Sequence, residues 1–153
     1  MGSGEAVDRR GFTLLELIVT LFVVALVTAI AVPTIGRSTE AVRVRADVAA
    51  FSAMLRHARE RAITTRKAHA VVVDPGAHRM NIVAGSGDGE VRESRALPER
   101  LEIVATPPPA LTVRFDPQGA SSGGDFRLAI GTIAYRVTVD ALTGRVTTRR
   151  VDS

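Results

Sequence analysis

Residues 10–33 read RGFTLLELIVTLFVVALVTAIAVP. The run from Phe12 to Val32 spans about 21 residues, roughly 31 Å as an α-helix, enough to cross the hydrocarbon core of a bilayer. Glu16 is its one charged residue. Arg9 and Arg10 precede the run, which favours a cytoplasmic N-terminus. Arg37, Arg43 and Arg45 follow soon after and reduce that asymmetry.

Two ordinary explanations compete for this stretch. A secretory signal peptide would have an apolar region of about 7–15 residues and then a small-residue cleavage site. Here the run is longer, and Ala29, Ala31 and Pro33 make a poor match. A plain single-pass anchor accounts for the length and flanks but not for the acid. An ionised carboxylate at mid-bilayer costs about 2.5–3.5 kcal/mol on insertion scales, so such groups take a partner. Cleavage before Phe12 would create an α-amino group with a pKa of about 8. That cation can pair with Glu16 in the same helix or in a neighbouring copy, neutralising both charges in an apolar medium.

Arg10-Gly11-Phe12-Thr13-Leu14-Leu15-Glu16 resembles the type IV prepilin processing motif. The resemblance implies cleavage after Gly11 by a prepilin peptidase, methylation of the new N-terminal Phe12, and a role for Glu16 in filament assembly. It also implies a helix kink at Pro33, where proline removes a backbone donor.

Beyond Pro33 the helical period resumes. Val44, Val48, Phe51, Leu55, Ala58 and Ala62 recur at the spacing of one helix face, predicting an amphipathic helix over about 38–65. Arg43, Asp47, Arg56, Arg59 and Glu60 fall away from that stripe and read as solvated surface. After Lys67, the only lysine, the pattern becomes strands. Runs at 68–74 and 78–84 flank Asp74-Pro75-Gly76 as a hairpin. Further strands are predicted at 100–105, 111–115, 125–130, 133–139 and 145–149. Pro107-Pro108-Pro109 suits a crossing between sheets. Residues 85–90 and 119–124 read as surface loops, with Ser121-Ser122-Gly123-Gly124 as a flexible turn. These elements give an α+β fold: a long bent N-terminal helix, its first half transmembrane, packed on a small antiparallel β head.

Three segments extend the resemblance to the GspH/FimT group of minor pilins and pseudopilins: Ala58-Arg59-Glu60-Arg61-Ala62-Ile63, Phe115-Asp116-Pro117-Gln118-Gly119-Ala120-Ser121, and Thr143-Gly144-Arg145-Val146. It implies a leader over 1–11, a filament-core helix over 12–35, an amphipathic helix half over 36–66 and a periplasmic head over 67–153. The implied role is a minor pseudopilin of a type II secretion system, at or near the tip of the periplasmic pseudopilus, helping to export folded proteins. Expected partners are prepilin peptidase, the other pseudopilins and membrane lipid along residues 12–32. The expected location is the bacterial inner membrane, single-pass, N-terminus cytoplasmic and head periplasmic.

The composition bounds the chemistry. The chain has 153 residues, a formal charge of +4 and no cysteine, which excludes a disulfide frame, a thiolate nucleophile and a Cys-ligated zinc. His57, His69 and His78 lack metal-ligand spacing, and the Gly-rich loop at Asp88 has too few oxygens for calcium. No enzyme, cofactor or metal is expected. The remaining site candidate is the arginine set Arg145, Arg149 and Arg150, with Arg136 nearby. Arg145 and Arg149 share a face if the strand is regular. Such a patch holds phosphates. The alternative function is therefore a type IV pilus minor pilin, FimT-like, that binds DNA for natural transformation. That element in the group reads Gly-Arg-x-Arg, whereas this chain has Gly144-Arg145-Val146-Thr147. A plain solvated edge is the other reading.

Overall fold

The computed structural model describes residues 13–108 and 110–151, with 30–39 described as backbone only. Gly11 and Phe12 lie outside the described residues, and the side chain of Pro33 is not described.

Thr13 starts the helix. Its hydroxyl accepts the amide of Glu16 at 3.2 Å, and its carbonyl accepts the amide of Leu17 at 3.2 Å. A threonine followed three residues later by glutamate is the pattern of a capped N-terminus, and an acid in the first turn suits the helix dipole. Helix α1 then runs Leu14–Thr65. Threonine hydroxyls inside the apolar part bond back to the carbonyl one turn earlier, Thr20 to Glu16 and Thr28 to Val24. No hydroxyl there is left without a partner in an apolar setting. At the far end Thr64 and Thr65 bond to Glu60 and Arg61, and Arg66 turns left-handed at φ 54° to stop the helix.

The chain divides into two compact units, residues up to Glu40 and residues from Ala41 onward. In the first, every described side chain from 14 to 29 is exposed. Phe22 is 69% exposed and Leu21 62%, so nothing among the described residues covers them.

The described residues of the second unit hold the rest of α1 and eight strands. These are β1 His69–Asp74, β2 Arg79–Ala84, β3 Val91–Ala96, β4 Glu102–Ala105, β5 Thr112–Phe115, β6 Gly124–Ile130, β7 Ile133–Val139 and β8 Val146–Val151. They form two antiparallel sheets of four, ordered β3-β2-β1-β5 and β4-β6-β7-β8. The chain leaves the first sheet after β3, returns at β5 and leaves again at β6. The crossing from β4 to β5 includes Pro107 and Pro108, as the proline run predicts.

The expected apolar stripe of the helix is the centre of the core. Val44, Val48, Phe51, Leu55, Ala58 and Ala62 are all buried, together with Met54. Phe51 meets Phe126 of β6 edge to face, ring centroids 5.4 Å apart. Val71, Met80, Ile82 and Phe115 come in from the first sheet, and Leu128, Val137 and Val139 from the second.

One sequence expectation is corrected. β3 is an eighth strand that was not predicted: all six of its residues are exposed, so it has no apolar alternation to read. The loop 85–90 is at the surface, as the sequence suggests, with all but Gly87 exposed, and it folds back on its own sheet. Gly85 N donates to Ala68 O at 2.8 Å, and a Cβ on Gly87 would lie 3.2 Å from Thr112 and 3.8 Å from Val72.

Candidate functional site

The three head segments that carry the family resemblance lie far apart in sequence. The fold brings them to one place. Arg59, on the last turns of α1, donates from Nε to Gly119 O at 3.0 Å and to Thr143 O at 3.1 Å. The two carbonyls belong to the β5–β6 and β7–β8 connections. One planar guanidinium therefore ties both connections to the helix.

Each connection is shaped to allow this. In the first, Gly119 N donates to Asp116 O at 2.8 Å, and Gly119 adopts φ 88°. In the second, Asp140 Oδ1 accepts both the amide and the hydroxyl of Thr143 at 2.7 Å, and Gly144 N donates to Asp140 O at 2.8 Å. These bonds to Thr143 hold the Asp140 carboxyl below its usual pKa. Gly144 is buried at φ 62°, and a Cβ there would meet Gly119 O at 2.3 Å. Sequence reasoning placed Arg59 among solvated charges and read 121–124 as a flexible turn. Both are corrected: Arg59 is half-buried in the clasp, and the loop is pinned by Ser122 N to Arg114 O and Ser121 N to Ala141 O, each 2.9 Å. The Gly residues that suggested flexibility are there for left-handed backbone and close approach.

Beside the clasp lies a groove of about 560 Å³, lined by Arg56, Glu60, Ile63 and Arg145 among others. Arg149 and Arg150 lie instead along a separate depression with Asp125 and Arg136. Arg145 precedes β8 rather than belonging to it, so the predicted set is not gathered into one patch. Arg136 is held by Asp125, with Nε 2.9 Å from both carboxylate oxygens and Nη2 2.7 Å from Oδ2, which raises its pKa further. The DNA-binding alternative is therefore not favoured.

The histidines are separated. His57 Nε2 sits 3.3 Å from Glu93 on β3, His69 is buried with Nδ1 3.0 Å from Lys67 O, and His78 occupies a turn at φ 47°. Glu16 is exposed in the first turn of α1, among Leu14, Leu15 and Leu17. Among the described residues no helix is long and apolar enough to cross a membrane. The described apolar side chains end at Ala29, about 24 Å of helix from Leu14, and the sequence carries the run on to Val32.

A helix with an uncovered apolar first half and a two-sheet head clasped to its second half defines a pilin-like subunit. The chain belongs to the family of Type II transport protein GspH, which matches residues 47–143, and residues 8–32 match the prokaryotic N-terminal methylation motif. It is 30% identical over 145 residues to Type II secretion system protein H of Xanthomonas campestris pv. campestris, covering 90% of this chain and 81% of that one. Its fold is similar to the crystal structure of the type IV minor pilin FimU of Pseudomonas aeruginosa, with TM-score 0.62 and 18% identity over 72% of this chain and 91% of that chain. It is also similar to the minor pseudopilin EpsH from the Type 2 Secretion System of Vibrio cholerae, with TM-score 0.53 and 16% identity over 71% of this chain and 95% of that chain.

Proposed function

We propose that this chain is a structural subunit, a minor pseudopilin of a type II secretion system, anchored in the inner membrane with its head in the periplasm. The observation that carries the reading is the uncovered apolar helix, residues 14–29 all exposed around one acid, in a chain of the GspH family. A contiguous apolar surface of that size needs lipid before assembly and other helices after it. Prepilin peptidase would cut between Gly11 and Phe12. The new amine would then pair with Glu16 of a neighbour, which fixes axial register because a slipped register leaves two charges unpaired in an apolar medium. The head would sit at or near the filament tip, in contact with other minor pseudopilins. The work is done by assembly, with no reaction catalysed.

The test is a deletion strain. Loss of secretion of the system's folded substrates, restored by the full chain and not by a chain lacking residues 12–32, is expected. Recovery of the full chain with the other pseudopilins from detergent-extracted membranes is also expected. Normal secretion in the deletion strain, with no pseudopilin recovered alongside the chain, would rule the reading out.

A further inference from the structure

Among the described residues β8 ends its sheet, hydrogen-bonded to β7 alone. Asp140 N donates to Arg145 O at 2.9 Å. By alternation, Thr147 and Arg149 turn their backbone groups toward β7, while Val146 and Thr148 turn theirs to the outer edge. The contact of Arg56 Nη2 with Val146 O at 3.5 Å comes from that outer side.

The side chains alternate too. Thr148 Oγ1 is 2.9 Å from Ser52 Oγ, facing the helix, so Arg149 faces away from it. On that far face the register sets Arg127 opposite Arg136 and Arg136 opposite Arg149. Like charges directly opposite one another across strands are unfavourable. Asp125 neutralises Arg136. Among the described residues Arg149 is paired with no carboxylate. Among the described residues the row thus finishes at the outer strand of the sheet, on a guanidinium with no carboxylate partner.

We propose that the β8 edge receives an extended segment of another pseudopilin as a fifth strand, with an aspartate or glutamate of that segment opposite Arg149. This rests on the reading that the chain assembles with other pseudopilins. The edge supplies the amides and carbonyls that strand addition needs, and the arginine supplies register and choice of partner. A second copy is disfavoured, because antiparallel β8 pairing brings arginines together. The other edges are less suited. β5 is closed by the Phe115–Ser121 bridge, β4 has only 4 residues, and β3 carries mixed charge with Glu93 engaged by His57. Double-helical nucleic acid would leave the edge amides unused, and 4% aromatic content gives little for base stacking.

The experiment uses the full chain in its host and measures recovery of the other pseudopilins with it after detergent extraction. Three variants are compared with the wild type: R149E, T148P, which removes an edge amide and spares Arg149, and R127E, two strands in from the edge and outside the added strand. Protease resistance of the head serves as the folding control. R149E and T148P are expected to lower recovery at least tenfold, with R127E within twofold of wild type. Exchange of one acidic residue for arginine in the bound partner should restore R149E. Equal losses in R127E and R149E with T148P unchanged would overturn strand addition in favour of a flat charged contact. Retention of duplex DNA that tracks those two arginines would overturn it in favour of a polyanion site. Unchanged recovery in all three variants would also overturn it, while leaving assembly itself intact. Failure of the wild type to recover any pseudopilin would instead remove the assembly reading on which the proposal stands.

Discussion

Arg59 and Gly144 fit together only because Gly144 lacks a side chain: a Cβ there would lie 2.8 Å from Arg59 Nε and 3.0 Å from its Cδ. The same missing group lets the carbonyl of Gly119 reach the guanidinium at 3.0 Å. The glycine-arginine pair near the end of the chain and the proline-glutamine-glycine turn are thus two parts of one contact.

Gly144→Ala should destabilise the head by about 3 kcal/mol or more, since left-handed strain adds to a steric clash. Gly131→Ala is the control. Gly131 has φ 57° but nothing within 4 Å of a Cβ, so its cost should stay near 1 kcal/mol. Urea unfolding of the detergent-solubilised chain measures both, and equal costs would refute the steric account.

Arg59→Met keeps the length of the side chain and removes the donor. Two carbonyls lose a charged partner, with an expected loss of about 1–3 kcal/mol. Hydrogen exchange should quicken in both connections, 116–123 and 140–145. Quickening in only one would mean that the guanidinium does not couple them.

Phe51→Ala removes the ring that meets Phe126 at 5.4 Å. The expected cost is about 3–5 kcal/mol, a large share of the stability of a small domain. Thermal unfolding of the full chain should show a broad, lowered transition, and a shift of only a degree or two would contradict this.

Acid stability should depend on Asp140, whose pKa the hydrogen bonds from Thr143 lower. A carboxyl with a depressed folded pKa stabilises the fold above the ordinary aspartate pKa. That contribution is lost as the pH falls through the folded value. Asp140→Asn should flatten this acid limb of a stability-against-pH curve. An unchanged limb would assign it to other carboxyls.

Gly11→Ala should leave the chain unprocessed, detected as an intact N-terminus by mass spectrometry. Glu16→Ala should be processed normally and recovered with the other pseudopilins at least tenfold less. Normal recovery would remove the pairing of amine and acid.

Much of this was legible beforehand. The helix announced itself through one apolar run and one stripe, because burial of Val44, Val48, Phe51 and Leu55 writes a period into the chain. Most of the strands were visible for the same reason, while β8, exposed at four of its six positions, was visible from the Thr143-Gly144 turn before it. β3 was not, because a strand exposed at all 6 positions leaves no hydrophobic trace. The role of Arg59 was hidden for a different reason. It sits at the border of the apolar stripe, where a helical wheel shows a charge and cannot show the two carbonyls, 60 and 84 residues further along, that meet it. A left-handed glycine built for close approach also has the same composition as a loose one.

A further consequence concerns how such a chain can vary. Insertions between 119 and 123, or between 140 and 144, would carry a carbonyl out of reach of one fixed side chain. These two short connections are therefore bound to keep their lengths in step with a helix position that neither of them adjoins.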